Sequence, residues 1–304
     1  MTAAWVSGST RARALVRRGL GLRRARELAS CGSAAEAVAA LARTSYGHDV
    51  RPGQSLPAAQ WAVLATLLWH LRVLAGWLPT EGAQMVRVLA RWFEIANVDE
   101  LMCRFAGRPC DPELVLGSLH TAWPRLRNCA SRAEVRATLI ASPWGDPGGS
   151  TRRDIQLGMR LAWAARLADA LPPPARVWVR GATALLVARE RFAQGRELPA
   201  GARGRCRSLL GAGAAAATSI ADMSRRLPPS ARWALRDVGD PASLWTAERR
   251  WWNRVEDDGH ALLAGSGFSA DPVVGALAVL AADARRVRAA LELAARGGAG
   301  DALD

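Results

Sequence analysis

The chain has 304 residues and a formal net charge of +14, and all 41 of its basic residues are arginine because the sequence contains no lysine. Its length allows one large or two ordinary domains with a buried core. Lacking lysine, the chain cannot form a Schiff base through a side-chain amine, and because arginine stays protonated, its charge is no pH switch. GC-rich coding is one source of such an arginine bias. Its physical consequence is attraction to acidic surfaces, which include nucleic acid, anionic lipid and acidic proteins.

Alanine, leucine and arginine dominate the sequence, and they predict an all-α protein. The stretch from Ser9 to Ala29 predicts two short helical pieces separated at its glycines. Ser33 followed by Glu36 has the spacing of a capping box and predicts another short helix, which ends at Thr44 to Gly47.

A long helix is predicted from Leu56 to Leu78, with Pro57 in its first turn. The segment is almost wholly apolar, but His70 and Arg72 lie near its middle. A central arginine costs about 2.5 to 3.5 kcal/mol in a membrane span. We therefore interpret this segment as a buried helix of a soluble bundle.

Capping residues, prolines and glycines divide the middle of the chain. Ser142 to Gly149 is the clearest turn, and Gly195 to Gly204 is predicted to be a mobile loop. We expect helices from Thr80 to Asn97 with a further turn or two to Phe105, from Asp111-Pro112 onward, from Ser131 onward, from Thr151 to Leu171, from Ala175 to Phe192 and from Leu209 to Met223.

The C-terminal part predicts a short helix around Trp233, a helix from Ser243 to about Gly259, and a long closing helix from Asp271 to Gly297. Asp271 is the predicted N-cap of the closing helix, and Gly297 is its left-handed stop. One apolar stripe follows the helix at alternating steps of four and three residues: Val273, Leu277, Leu280, Ala284, Val287 and Leu291.

No pattern of residues predicts catalysis, a cofactor or a metal ion. The four histidines lack metal-ligand spacing, and Gly211 to Gly213 has no strand before it to make a dinucleotide fold. Glu256 to Asp258 is interpreted as a solvated helix end. The five cysteines contain no CxxC pair, and the N-terminus carries no signal peptide, so we expect reduced thiols and a cytoplasmic location.

The tryptophans near the C-terminus have two interpretations. Trp251 and Trp252 lie beside three arginines, and such a pair can stack on bases of single-stranded nucleic acid. Alternatively Trp245, Trp252 and Leu263 face a core and the arginine stems cover them. Packing is the interpretation we favour.

The whole chain resembles the C/d subunit family of V-type ATPases and ATP synthases, and the segments at its two ends carry the longest matches. From Arg11 to Gly47 an Arg/Leu helix, ARALVRRGL, precedes a short helix that ends in Thr-x-Tyr-Gly, within LASCGSAAEAVAALARTSYG. The closing helix is similar to the family's closing helix, in which a proline-led start precedes an acidic residue and then Asn-Leu-Arg. Asp283, Arg286, Val287 and Arg288 stand at those positions, and Leu71-Arg72 and Ala188-Arg189 resemble the equivalent points of the first two units.

The sequence departs from the family at several of these points. Arg286 and His70 replace the family's asparagine, and Leu67-Leu68 replaces the acidic residue of the first unit.

The resemblance implies a single all-α protein of three helical pseudo-repeats, approximately 1–108, 109–205 and 206–304, that form a funnel. It implies a non-catalytic central-stalk adaptor without a cofactor, which couples a rotor axle to the membrane rotor ring in proton or sodium transport. Such an adaptor is peripheral on the cytoplasmic face of the membrane. Arg72, Arg189 and Arg288 are then candidates to line the funnel and face partners, and local ion pairing is their alternative role.

Two other classes of function were weighed. An arginine-rich all-α protein that associates with nucleic acid is the alternative, but the arginines are spread through nearly every helix and not gathered on one face. A helical enzyme for isoprenoid-type substrates needs facing aspartate-rich motifs, and only Asp257-Asp258 comes near.

Overall fold

The computed structural model describes residues 3–298, and every regular element among them is helical, which confirms the all-α prediction. Short 3₁₀ turns connect several helices, and a π-helix covers Arg189–Ala193. The α-helices are α1 (Ala3–Val16), α2 (Gly21–Ala29), α3 (Ala34–Leu41), α4 (Leu56–Ala75), α5 (Thr80–Arg104), α6 (Trp123–Leu126), α7 (Arg132–Ile140), α8 (Arg152–Ala170), α9 (Pro173–Ala188), α10 (Ala200–Leu210), α11 (Ala212–Ala215), α12 (Ile220–Arg226), α13 (Pro229–Arg232), α14 (Leu244–Ala264) and α15 (Ala270–Ala295).

The chain divides into two compact units. The first unit comprises Met1–Val86, Asp111–Gly117 and Gly259–Asp304, and the second comprises Arg87–Cys110 and Ser118–Asp258. Helices α5 and α14 each belong partly to one unit and partly to the other. These limits differ from those of the three predicted pseudo-repeats, which stay a prediction.

The closing helix α15 forms the centre of the first unit and packs against α1, α2, α3 and α4. All six residues of the predicted apolar stripe are buried. Gly297 has the predicted left-handed conformation, with φ of 93°. The predicted N-cap is wrong, because Ser269 caps the helix and its Oγ accepts a hydrogen bond from the Asp271 N–H at 3.3 Å.

Helix α4 begins as the sequence predicts, since Ser55 caps it and Pro57 lies in its first turn. Among residues 3–298, it is the one helix long and apolar enough to cross a membrane, and half of its most apolar window is buried. Within the first unit it packs on α15, α1 and α3.

The second unit is built around α8, α9 and α10, which pack on one another. The predicted turn from Ser142 to Gly149 is confirmed, because no regular element covers it. Helices α7 and α8 begin where their caps predict, at Ser131 and Thr151.

The helix predicted from Asp111-Pro112 is absent, and residues 108–116 have no regular structure. The indole N–H of Trp61 donates to the Pro112 carbonyl at 2.7 Å and so ties this segment to α4. Leu114 and Leu116 are buried while the residues on either side are exposed, which is the two-residue period of an extended segment.

The predicted helix from Leu209 to Met223 is also wrong, because it is three helices. Helix α10 ends at Leu210, and Gly211 has φ of 88°, a value that breaks a helix. Ser219 then caps α12. The loop predicted from Gly195 to Gly204 ends at Pro199, since α10 begins at Ala200, and its mobility stays a prediction.

Candidate functional site

A buried carboxylate links the two segments of the first unit that carry the family resemblance. Asp283 of α15 is only 3% exposed and accepts three hydrogen bonds. The donors are the backbone N–H groups of Leu20 and Gly21 and the hydroxyl of Tyr46, each at 2.8 Å. Because Leu20 and Gly21 begin α2, this carboxylate fixes the short helix to the long one.

The tyrosine of this cluster is itself positioned by a local turn. The Thr44 hydroxyl donates to the Leu41 carbonyl at 2.7 Å and accepts from the Tyr46 N–H at 3.2 Å. Burial, reinforced by the nearby Asp283 carboxylate, raises the pKa of Tyr46 well above its ordinary value of 10. Its hydroxyl therefore keeps its proton and stays a donor to Asp283.

The second unit contains the same arrangement around Glu94 of α5, which is 1% exposed. Glu94 accepts from the backbone N–H groups of Thr121 at 2.5 Å and Ala122 at 2.8 Å, just before α6. Its third donor is the indole N–H of Trp144 at 2.7 Å. Ser142 positions Trp144 as Thr44 positions Tyr46, because its hydroxyl accepts from the Trp144 N–H at 3.2 Å.

The aromatic donors of the two arrangements belong to an internal repeat, in which Ser33 and Ser131 lie 98 positions apart. At that same offset Tyr46 corresponds to Trp144, and the glycine that follows each of them is kept. Between Leu28 and Tyr46 the identical positions also include Leu28 and Leu126, Cys31 and Cys129, Ala35 and Ala133, Glu36 and Glu134, Ala39 and Ala137, and Leu41 and Leu139.

Within residues 3–298, one capping box occurs three times with the same hydrogen bonds. In each copy a serine Oγ accepts from the N–H three residues later, and the carboxylate at that position accepts from the N–H that precedes the serine. The copies are Ser33 with Glu36 (3.2 and 3.0 Å), Ser131 with Glu134 (3.2 and 3.0 Å) and Ser219 with Asp222 (3.1 and 3.2 Å).

The third copy differs in how its aromatic residue meets a long helix. Trp233 packs on α9 at Gly181, where a Cβ atom would lie 2.7 Å from the tryptophan ring. The Trp233 indole N–H donates to the Ser230 carbonyl at 3.0 Å. The contact of this tryptophan with a long helix is thus a close packing contact and not a hydrogen bond to a carboxylate.

Of the arginines singled out from the sequence, Arg72 is exposed on α4 and lines a groove of about 410 Å³ in the first unit. The groove is also lined by Trp61, Trp69 and Val115. Arg72 packs against Gly117, where a Cβ atom would lie 3.1 Å from its Nε. The position of Arg72 is therefore open to a partner.

A histidine and aspartate pair also lines this groove. His48 Nδ1 lies 2.7 Å from an Asp49 carboxylate oxygen, which also accepts from the Thr66 hydroxyl at 2.9 Å. The His48 ring stacks on Trp69 at 4.5 Å. The Thr66 hydroxyl bonds the carboxylate and not the imidazole, so these bonds order the groove and do not form the nucleophile–base contact of a catalytic triad.

Arg189 and Arg288 have different surroundings. Arg189, in the second unit, pairs with Glu248 of α14, which is the local ion pair of the alternative interpretation. Arg288, in the first unit, is half-buried, and its Nε has no hydrogen-bond partner among residues 3–298. Burial lowers the pKa of Arg288, and Glu292 opposes that shift. A common lining of all three arginines stays a prediction.

The C-terminal tryptophans follow the packing interpretation only in part. The Trp251 indole N–H donates to the Trp178 carbonyl at 2.8 Å, and its ring meets Trp252 edge to face at 4.9 Å. Trp245, expected in a core, is 61% exposed, so that part of the prediction is wrong. It lies at the start of α14 with Arg249 over its ring.

The acidic cluster on α14 has a structural partner. Asp258 accepts the indole N–H of Trp178 at 2.7 Å. Within residues 3–298, no group of three or more histidine, cysteine or acidic side chains is arranged to hold a metal ion. The five cysteines are all unpaired.

Sequence reasoning missed Glu94 and the repeat around it. Two signals for it are present: Glu94 and Asn97 have the acidic and asparagine spacing of the family's closing helix, and the chain aligns with itself at an offset of 98. In comparisons with known proteins, no protein-family model and no curated protein matches the chain.

Proposed function

We propose that the protein is a non-catalytic central-stalk adaptor of the C/d type, which couples a rotor axle to a membrane rotor ring. The observation that carries the proposal is the hydrogen bond from the Tyr46 hydroxyl to Asp283 at 2.8 Å. The resemblance rests on two segments at opposite ends of the chain, and this contact joins a defining residue of each. If the two segments resembled the family only by chance, nothing would require them to contact each other.

An adaptor that transmits torque must resist bending at the joints between its helices. The carboxylates of Asp283 and Glu94 bind the first N–H groups of a short segment to a long helix. Hydrogen bonds to charged groups contribute about 1.5 to 3 kcal/mol each, and burial shields them from water. These anchors support the mechanical role, because stiffening the joint between two helices requires hydrogen bonds and no reactive residue.

Three pseudo-repeats in a funnel are part of the same proposal. The three capping boxes begin at Ser33, Ser131 and Ser219, so successive copies lie 98 and 88 positions apart. These spacings are close to the length of one proposed unit, and they support a threefold origin of the chain.

The test is a tagged pull-down from gently solubilised native membranes, with recovered proteins identified by mass spectrometry. We expect rotor-ring and central-stalk subunits, at the cytoplasmic face of the membrane, with no need for a bound cofactor. Recovery of nucleic acid instead would favour the arginine-rich nucleic-acid protein. Recovery of no membrane-bound subunit would contradict the adaptor.

A further inference from the structure

Helix α2 presents a basic surface that the anchors and the groove do not use. Leu22, Arg23, Arg24 and Arg26 are exposed along one side of it, and Arg17 is exposed just before it. We call these five residues the basic face of α2. Leu22, at 40% exposure, is the large apolar side chain among them.

The basic face of α2 is held in a fixed orientation. On the opposite side of the helix, Ala25, Leu28 and Ala29 are buried, and the helix packs along α15. Asp283 binds the two N–H groups at its start. A surface that is already ordered loses little conformational freedom when a partner binds.

The ion pair formed by Arg23 on this face is exposed to solvent. Arg23 pairs with Glu27 at 2.6 Å, but both side chains are largely exposed, at 79% and 60%. Exposed pairs of this kind contribute about 0 to 1 kcal/mol, so Arg23 can exchange its partner at low cost. Guanidinium groups bind carboxylates through two parallel hydrogen bonds.

We propose that the basic face of α2 is the docking surface for an acidic protein partner, with Leu22 as its apolar contact. The proposal rests on the adaptor function, which makes the partner a stalk or ring subunit. Arginine is enriched in protein interfaces, complementary charges fix the register of the two surfaces, and apolar side chains form the buried core of the contact.

The structure favours a protein over a bilayer or nucleic acid. An interfacial helix binds a bilayer through its apolar side, but that side of α2 is buried on α15. Helix α2 has no aromatic residue to stack on a base, and Glu27 interrupts the positive charge that a phosphate backbone would meet.

The test compares three forms of the full chain in the same membrane pull-down: wild type, R23E/R24E and R203E/R207E. The control arginines are exposed on α10 in the second unit, and both double variants change the net charge equally. Far-UV circular dichroism first establishes that all three are equally helical. A Leu22→Ala variant tests the apolar contact without a change of charge.

We expect R23E/R24E to lose partner recovery by roughly tenfold or more at moderate salt, because each reversal places like charges together. R203E/R207E should recover as much as wild type, and Leu22→Ala should lose a fewfold. Equal recovery by R23E/R24E and wild type would overturn the assignment of this face and leave the adaptor function standing.

Two further outcomes are informative. If wild type recovers no rotary subunit, the adaptor function fails, and with it the partner named here. If R23E/R24E loses binding to vesicles containing anionic lipid or to single-stranded RNA but keeps its protein partners, the choice of a protein partner is overturned.

Discussion

A buried carboxylate is stable only when donors and cations compensate its charge, and Asp283 meets this condition with two backbone N–H groups, one phenol and the Arg286 guanidinium 3.7 Å away. The phenol is distinctive because Tyr46 is the single tyrosine of the chain. Any tyrosine signal in solution therefore reports on this cluster.

Tyr46 should not ionise while the protein stays folded. Burial and Asp283 raise its pKa well above 10, so the folded state holds a proton that the unfolded state releases at about pH 10. The resulting stabilisation is complete below pH 10 and declines above it by roughly 1.4 kcal/mol per pH unit. In an alkaline titration, tyrosinate absorbance should rise together with the loss of helical circular dichroism. Tyrosinate that forms near pH 10 in a fully helical protein would contradict this.

His70 should make the protein less stable in mild acid. It is buried on α4 with Nδ1 unpartnered among residues 3–298. Burial first, and then Arg18 and His48, lower its pKa from 6.5 to about 4, against the opposite effect of Asp49. The unfolded state therefore binds a proton that the folded state excludes, and stability is lost as pH falls from 6.5 towards 4.

The matched comparison is wild type against His70→Leu in urea unfolding at pH 7 and pH 5. Wild type should lose about 1 to 2 kcal/mol more than the variant over this interval. His260→Gln, which changes an exposed histidine, serves as the control and should behave as wild type. Equal pH dependence in wild type and His70→Leu would show that His70 is not responsible.

At the scale of helices, features that depend on neighbouring residues can be predicted from the sequence, and features that depend on residues far along the chain cannot. Ser33 and Ser131 were identified as caps from the sequence because a cap and its acidic partner lie within four residues. The extended segment at Pro112 was not, because its conformation depends on Trp61, 51 positions away. The Glu94 anchor was missed for the same reason, since its donors come from Thr121 onward.

The helix is interrupted at Gly211 because of the backbone conformation of this residue, and a pair of glycine substitutions can test this explanation. Gly204 and Gly211 both have open space where a Cβ atom would lie, but Gly204 is inside α10 while Gly211 has φ of 88°. Gly211→Ala should destabilise the protein by about 1 to 3 kcal/mol. Gly204→Ala should stabilise it by about 0.5 to 1 kcal/mol. Thermal unfolding of both variants checks the signs, and a stabilising Gly211→Ala would refute the role assigned to this glycine.

For the whole molecule, the repeat places one carboxylate anchor in each compact unit. Asp283 serves the first unit and Glu94 the second. The two carboxylates accept hydrogen bonds from different residues, so the energetic effects of changing them should be separate as well. Each anchor then controls the stiffness of its own unit.

Hydrogen exchange can test this separation directly. An amide offers one acceptor oxygen, and its NH₂ group would face a donor, so Asp283→Asn should weaken the start of α2 by about 2 kcal/mol. We expect exchange at Leu20 and Gly21 to accelerate roughly 30-fold, with Thr121 and Ala122 unchanged. Glu94→Gln should do the reverse.

Asp271→Asn is the matched control for Asp283→Asn, because it makes the same chemical change at the start of the same helix, away from the anchor. It should leave exchange at Leu20 and Gly21 close to wild type. If either anchor variant accelerated exchange equally in both units, the molecule would open as one cooperative body. Stiffness would then be a property of the whole chain, and the carboxylate anchors would not be the independent joints that the repeat implies.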